Sequence, residues 1–149
     1  MRINGLVVDP RLAALMQRSD WRGKRTSEAW LSRFPVHAQS KEARVPFVQF
    51  ISPGAAISES KGLTKPGLEM LLGTPDKEYA PGDIDPTAAY IIGFVDYVDS
   101  AICVDVRPAS GPRITYDNFG PRTTHATAFD TIDEFVQFFI EQHGDASSA

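Results

Sequence analysis

Apolar and polar positions alternate most cleanly from Ala101 to Arg107. Ile102, Val104 and Val106 fall on one face, with Ala101, Cys103, Asp105 and Arg107 on the other. That two-residue period predicts a β-strand. It resumes through Ile114 and Tyr116 over Arg113–Asp117, after a loop of hairpin length at Pro108–Pro112. Upstream, Ala88–Val95 (AAYIIGFV) is almost continuously apolar and reads as a central strand. Val45–Ile51 (VPFVQFI) is β-branched and aromatic, ended by Ser52-Pro53-Gly54. Phe47 and Phe50 do not share a face of a strict alternation, so this strand needs a bulge or burial on both sides. A shorter strand is expected over His125–Phe129.

Helical spacing appears elsewhere. Asp9-Pro10 supplies an N-cap acceptor and a proline for the first turn, and Leu12, Leu15 and Met16 then share a face. A second short helix is expected from about Ser27, with Trp30, Leu31 and Phe34 apolar, stopped before Pro35. A third should begin near Thr64, with Leu68, Leu71 and Leu72 inward and Gly73 and Pro75 as stop signals. The last helix has a capping box, Thr131-Ile132-Asp133-Glu134. Its apolar stripe is Ile132, Phe135, Val136 and Phe139, and Gly144 stands at the expected C-terminus. Val36–Arg44 is polar and reads as loop, Asp76–Pro86 as turn material, and residues 145–149 as a frayed tail. Short links between consecutive strands imply an antiparallel meander of about four to six strands, covered by helices. The expected class is α+β, in one domain of 149 residues.

Charge divides this domain. Through Arg44 the chain has nine Lys and Arg against four acids, a balance of +5. The remaining residues carry six bases and fifteen acids, a balance of −9. A basic, mainly helical start (1–44) thus precedes an acidic sheet-and-helix body (45–144), and such asymmetry points to charged partners. Hydrophobic residues at 42% and charged residues at 23% exclude disordered, collagenous and coiled-coil classes. One cysteine, Cys103, excludes an internal disulfide. No apolar run reaches the ~20 residues of a membrane span, and Asp9-Pro10 interrupts any signal-peptide pattern. The expectation is a cytoplasmic protein that does not enter the membrane.

Candidate chemistry is sparse. His37, His125 and His143 share no ligand spacing with Cys103, so no metal or cofactor is expected. There is no nucleophile elbow. Pairing of Cys103 with His125 on a neighbouring strand is conceivable, although burial would raise the thiol pKa and oppose it. Ser52-Pro53-Gly54-Ala55-Ala56 has a glycine but lacks the lysine and apolar helix of a phosphate loop. Asp96, Asp99 and Asp105 crowd one turn, with Asp83 and Asp85 upstream. They suit general acid–base work or a divalent cation, or simply local backbone hydrogen bonds. Arg22, Lys24, Arg25 and Arg33 interleave with Trp21, Trp30 and Phe34, as a nucleic-acid surface would. The four-residue spacing of Trp30 and Phe34 instead suggests core, leaving the cations as a solvated face.

From Tyr90 to Phe139 the chain resembles the C-terminal half of the SUKH superfamily. Ile92-Gly93 ends a strand, Asp99 lies in a short turn, and Ile102 and Asp105 sit in an alternating strand. Ala128, Thr131, Glu134 and Phe135 then follow the family's short strand, alanine step and helix start. The resemblance implies an α+β fold and a protein-binding role. Many bacterial members are immunity proteins that neutralise a toxin, and the family carries no catalytic motif to transfer.

The first reading is therefore a non-enzymatic binding module of the immunity type, whose acidic body occludes the active site of a toxin domain. Asp83, Asp85, Asp96, Tyr97 and Asp99 are the expected contact residues. A cation-dependent hydrolase using Asp96, Asp99 and Asp105 is the alternative, and nucleic-acid binding by the basic start is a third, disfavoured one.

Overall fold

The alternating residues from Ala101 to Asp105 lie in the central strand of a five-stranded antiparallel sheet, and that strand stops before Val106 and Arg107. A computed structural model describes residues 1–35, 46–64, 84–96, 100–117 and 125–143. The sheet runs β3 (Phe47–Phe50), β4 (Ala89–Asp96), β5 (Ser100–Asp105), β6 (Arg113–Asp117) and β7 (His125–Phe129), in chain order across its width. Every neighbouring pair is antiparallel, so the chain is an α+β protein built on a meander. The expected strands over 113–117 and 125–129 have the observed bounds.

Helices cover one face of this sheet. α1 (Pro10–Met16) is capped by Asp9, whose carboxylate accepts the Arg11 N–H, and it buries Leu12, Leu15 and Met16. α2 (Glu28–Leu31) starts at Ser27, whose hydroxyl accepts the Trp30 N–H. The last described helix, α4 (Ile132–His143), follows Thr131, whose Oγ1 accepts from the Glu134 N–H at 3.1 Å. The return bond of the capping box reaches one residue further out, because Glu134 Oε2 accepts the Asp130 N–H. Phe135 and Phe139 of α4 are fully buried with Val48, Phe50, Ile102, Val104 and Ile114 of the sheet. Each such ring contributes roughly 1.5–3 kcal/mol by leaving water.

Two elements differ from the sequence reading. Residues 2–7 form a hairpin, β1 (Arg2–Ile3) and β2 (Leu6–Val7), which was not expected. Its turn is Asn4-Gly5, with φ of 56° and 78°, the left-handed pair that a two-residue hairpin needs and that Asn-Gly accommodates. Asn4 Nδ2 also donates to the Pro86 and Ala89 carbonyls, tying the hairpin to the start of β4. The second correction is Ser52-Pro53-Gly54, which opens a helix, α3 (Pro53–Lys61), as well as ending β3. Ser52 Oγ accepts the Ala55 N–H and Pro53 occupies the first turn, the same device as Asp9-Pro10. A short 3₁₀ turn, Gly62–Thr64, follows. The helix expected beyond Thr64, the loop at 36–44, most of the 76–86 turn, Gly144 and the tail lie outside the described residues.

Both sheet faces are buried at β3, the expected outcome for Phe47 and Phe50. On the second face, Ala89, Ile91 and Cys103 pack with Leu63 and Ile84. The register of β4 on β5 slips between Ile91 and Gly93, so Ile92 is the extra residue of a bulge. Beside it the Ile91 N–H donates to the buried Ser60 Oγ of α3 at 2.9 Å. Gly93 faces Phe50 so closely that a Cβ would lie 2.6 Å from the Gln49 carbonyl oxygen.

Candidate functional site

The acidic cluster expected around one turn is divided by the sheet. Asp96 ends β4 opposite Phe47, whereas Asp105 ends β5 opposite Ala89. Seven residues of β4 separate these positions, roughly 23 Å at strand rise. Asp105 is fully buried, and two arginines hold it. Its Oδ1 accepts from the Arg107 backbone N–H and Nε at 3.0 Å each. Its Oδ2 accepts from Arg107 Nη2 at 3.1 Å and Arg113 Nε at 3.0 Å. Arg113 reaches it because the β5–β6 register sets the two residues opposite each other. Burial pushes the carboxyl pKa up, but the bonds and charges of the two guanidiniums outweigh that and hold it below its ordinary value. With its lone pairs so engaged, Asp105 is neither a general base nor a cation ligand. The three-aspartate cluster is therefore corrected: Asp105 is structural.

Of the expected contact residues, Asp85 lies at the other end of β4 from Asp96. Its Oδ1 accepts from the Thr87 N–H at 2.9 Å and the Thr87 hydroxyl at 2.7 Å, a local turn bond that leads into the strand. Asp83, Tyr97 and Asp99 are outside the described residues, and of Asp96 only the backbone is described.

Cys103 and His125 do not meet. Cys103 faces Thr115 across β5–β6, and Thr115 faces Thr127 across β6–β7, while His125 lies opposite Asp117. With β6 between them, the two strands stand about 10 Å apart. Cys103 is fully buried, and burial, helped by Asp105 and Asp117, pushes its thiol up to about 12. It is a packing residue. Ser100, Thr115, Asp117 and His125 are also buried along this part of the sheet, a polar strip that strand periodicity alone does not announce. Among the described residues, no group of three or more His, Cys, Asp or Glu side chains is arranged to hold a metal ion.

The basic start has the core expected from the Trp30/Phe34 spacing, but is only in part the solvated face expected of its cations. Trp21, Trp30 and Phe34 are core residues, and so is Arg25. Arg25 Nη1 donates to the Trp21 and Gly23 carbonyls, Nη2 to the Asp20 carbonyl, and Nε to His143 Nε2 at 3.0 Å. Its guanidinium lies about 5 Å from the ring centres of Trp30, Phe50 and Phe139. Its backbone bridges Val48, closing the outer edge of β3 with two 2.9 Å bonds. Burial, reinforced by Arg18, lowers its pKa to about 10, so it stays charged at neutral pH. Arg18 is buried as well and pairs with Asp20 at 2.9 Å. Arg33 pairs with Glu134, and Arg11 with Asp9 and Asp133. The aromatic rings needed to stack bases are thus inside, and only Arg22 and Lys24 of the interleaved cations are exposed. The one hint of this knot in the sequence was the Trp30/Phe34 spacing; nothing local marked Arg25 or His143 as its partners.

Among the described residues, no helix is long and apolar enough to cross a membrane. Comparison with protein-family models, curated proteins and solved structures finds no match to this chain.

Proposed function

We propose that the protein is a cytoplasmic, non-enzymatic binding module of the bacterial immunity type, which neutralises a toxin by docking an acidic surface over its active site. One observation carries this reading. The two described arginines of the acidic body, Arg107 and Arg113, are both committed to the buried carboxylate of Asp105. That trio carries +1, so the rest of the chain from residue 45 onward carries −10 rather than −9. Such a surplus of acid steers a basic partner such as a nuclease toxin domain and orients it on docking. The groups with chemical potential point the same way: Cys103 is packed and Asp105 is neutralised within the fold. The likeness of Tyr90–Phe139 to the SUKH superfamily supports the same role.

Asp96 at the end of β4, with Tyr97 and Asp99 after it in sequence, is the favoured contact. Asp85 before the other end of β4, with Asp83 two positions earlier in sequence, is the internal comparison. The test is co-expression with the C-terminal domain of a secreted protein encoded beside this chain. Protection of the host, lost on Asp96→Lys with Asp99→Lys but retained with Asp83→Lys and Asp85→Lys, is the expected result. Absence of both protection and a purified complex would overturn the reading.

A further inference from the structure

We propose that His143 is a proton-sensitive latch: neutral, it fastens the last turn of α4 to the N-terminal third, and protonated, it releases that turn. The geometry requires the neutral ring. Arg25 has only N–H donors, so the 3.0 Å bond from its Nε must end on an unprotonated His143 Nε2. A proton there removes the acceptor and sets a second cation against Arg25.

The surroundings decide which state the fold prefers. From the α1–α2 connection, His143 faces three charged residues: Arg18, Asp20 and Arg25. α2 contributes the Trp30 ring, 5.8 Å between centres, and α4 itself contributes Phe139 at 4.6 Å. Among the described residues two arginines thus oppose one aspartate, and that aspartate is already bonded to Arg18 through both oxygens. The end of a helix favours a positive charge, which works in the other direction. Burial comes first, and together with Arg25 and Arg18 it prevails, holding the imidazole below its ordinary value against the pull of Asp20. The latch spans the chain: residues 25 and 143 are 118 positions apart, so opening it loosens the last turn of α4 from the N-terminal third.

The consequence is directional. The group's folded-state value lies below the 6.5 of a free imidazole, so its contribution is fully present above that pH. It is lost as pH falls from there through the lowered folded value. Acidification therefore weakens the α4 end before it affects carboxylates such as Asp105.

Proton NMR of the three histidines in the whole protein tests this, with His143 assigned by its absence in His143→Gln. The expected result is a His143 midpoint below 6.5, accompanied by a change in tryptophan emission, since a protonated imidazole beside Trp30 quenches it. His143→Gln keeps a neutral acceptor for Arg25, so its emission should stay flat over that range. Amide exchange of residues 140–143, corrected for intrinsic rates, should rise several-fold in acid for the native chain alone. A His143 midpoint at or above 6.5, or the same emission and exchange profiles in both proteins, would overturn the proposal. If His143→Gln does not fold, assignment through the Phe139 and Trp30 cross-peaks leaves the native midpoint as the deciding measurement.

Discussion

The indole of Trp21 lies 4.5 Å from the ring of Phe50 with the planes 19° apart, while its Nε1–H donates to the Ile51 carbonyl at 2.6 Å. One side chain thus stacks on β3 and satisfies a carbonyl just past its end. Phe135 and Phe139 of α4 close on the same indole at 6.3 and 5.7 Å. The basic start is therefore part of the core, and its removal would uncover the aromatic cluster. Trp21→Ala should destabilise by about 3–5 kcal/mol, the range for emptying a large aromatic site. Trp21→Phe should cost less, about 1–3 kcal/mol, mostly from the unpaired Ile51 carbonyl. Urea denaturation followed by circular dichroism measures both.

Asp105 predicts a specific acid sensitivity. Its folded pKa is lowered, so its ion pairs stabilise the protein fully above the unfolded value of 3.8 and fade as pH falls through the folded value. Asp105→Asn should cost about 3 kcal/mol at pH 7, the low end for breaking a buried pair, because Arg107 and Arg113 still reach water. It should also flatten the stability profile below about pH 4. Melting temperatures of both proteins from pH 2 to 7 check this; parallel profiles would show that Asp105 does not carry the effect.

Gly93→Ala should be severe for a one-carbon change. The added Cβ would meet the Gln49 carbonyl oxygen at 2.6 Å and Phe50 Cδ1 at 2.9 Å, and the first of these is backbone that cannot rotate away. A loss of about 3 kcal/mol is expected, at the upper end for overpacking. Gly111→Ala is the comparison: it meets no atom within 4 Å, so only its φ of +119° opposes it. Denaturation midpoints of the two variants separate steric crowding from backbone strain.

Much of the sheet was legible because two-residue alternation survives wherever one face is apolar. Arg113–Asp117 follows from that, and α4 follows from its cap and stripe. α3 was hidden for a physical reason: it buries only Ala56 and Ser60, so no apolar period marks it, and its Ser-Pro start resembles a strand stop. The Asn4-Gly5 hairpin carried a strong turn signal, but its strands are too short to show alternation. The acidic cluster failed differently. Asp96 and Asp105 are nine residues apart, yet β5 runs back antiparallel along β4 and separates them. Arg107 and Arg113 could be paired with Asp105 only once the register was known.

Cys103 should be silent toward thiol reagents while the protein is folded. Its thiol is fully buried and pushed up to about 12, so almost no thiolate exists near neutral pH. An aromatic disulfide reagent should label none of it natively and one equivalent per chain in urea. Fast native labelling would mean that the β5 face opens readily.

The aromatic core draws Trp21 and Trp30 from the start of the chain and Phe135 and Phe139 from its last helix. During synthesis, a ribosome releases the tryptophans more than a hundred residues before the rings that seal them. Through that interval the emerging meander lacks the α4 part of its cover, and long-range closure of this kind is slow. Full cover of the indoles must therefore wait for α4. A nascent chain stalled before residue 132 would be a client for chaperones and proteases, so quality control can read the arrival of α4 directly from whether the indoles are covered.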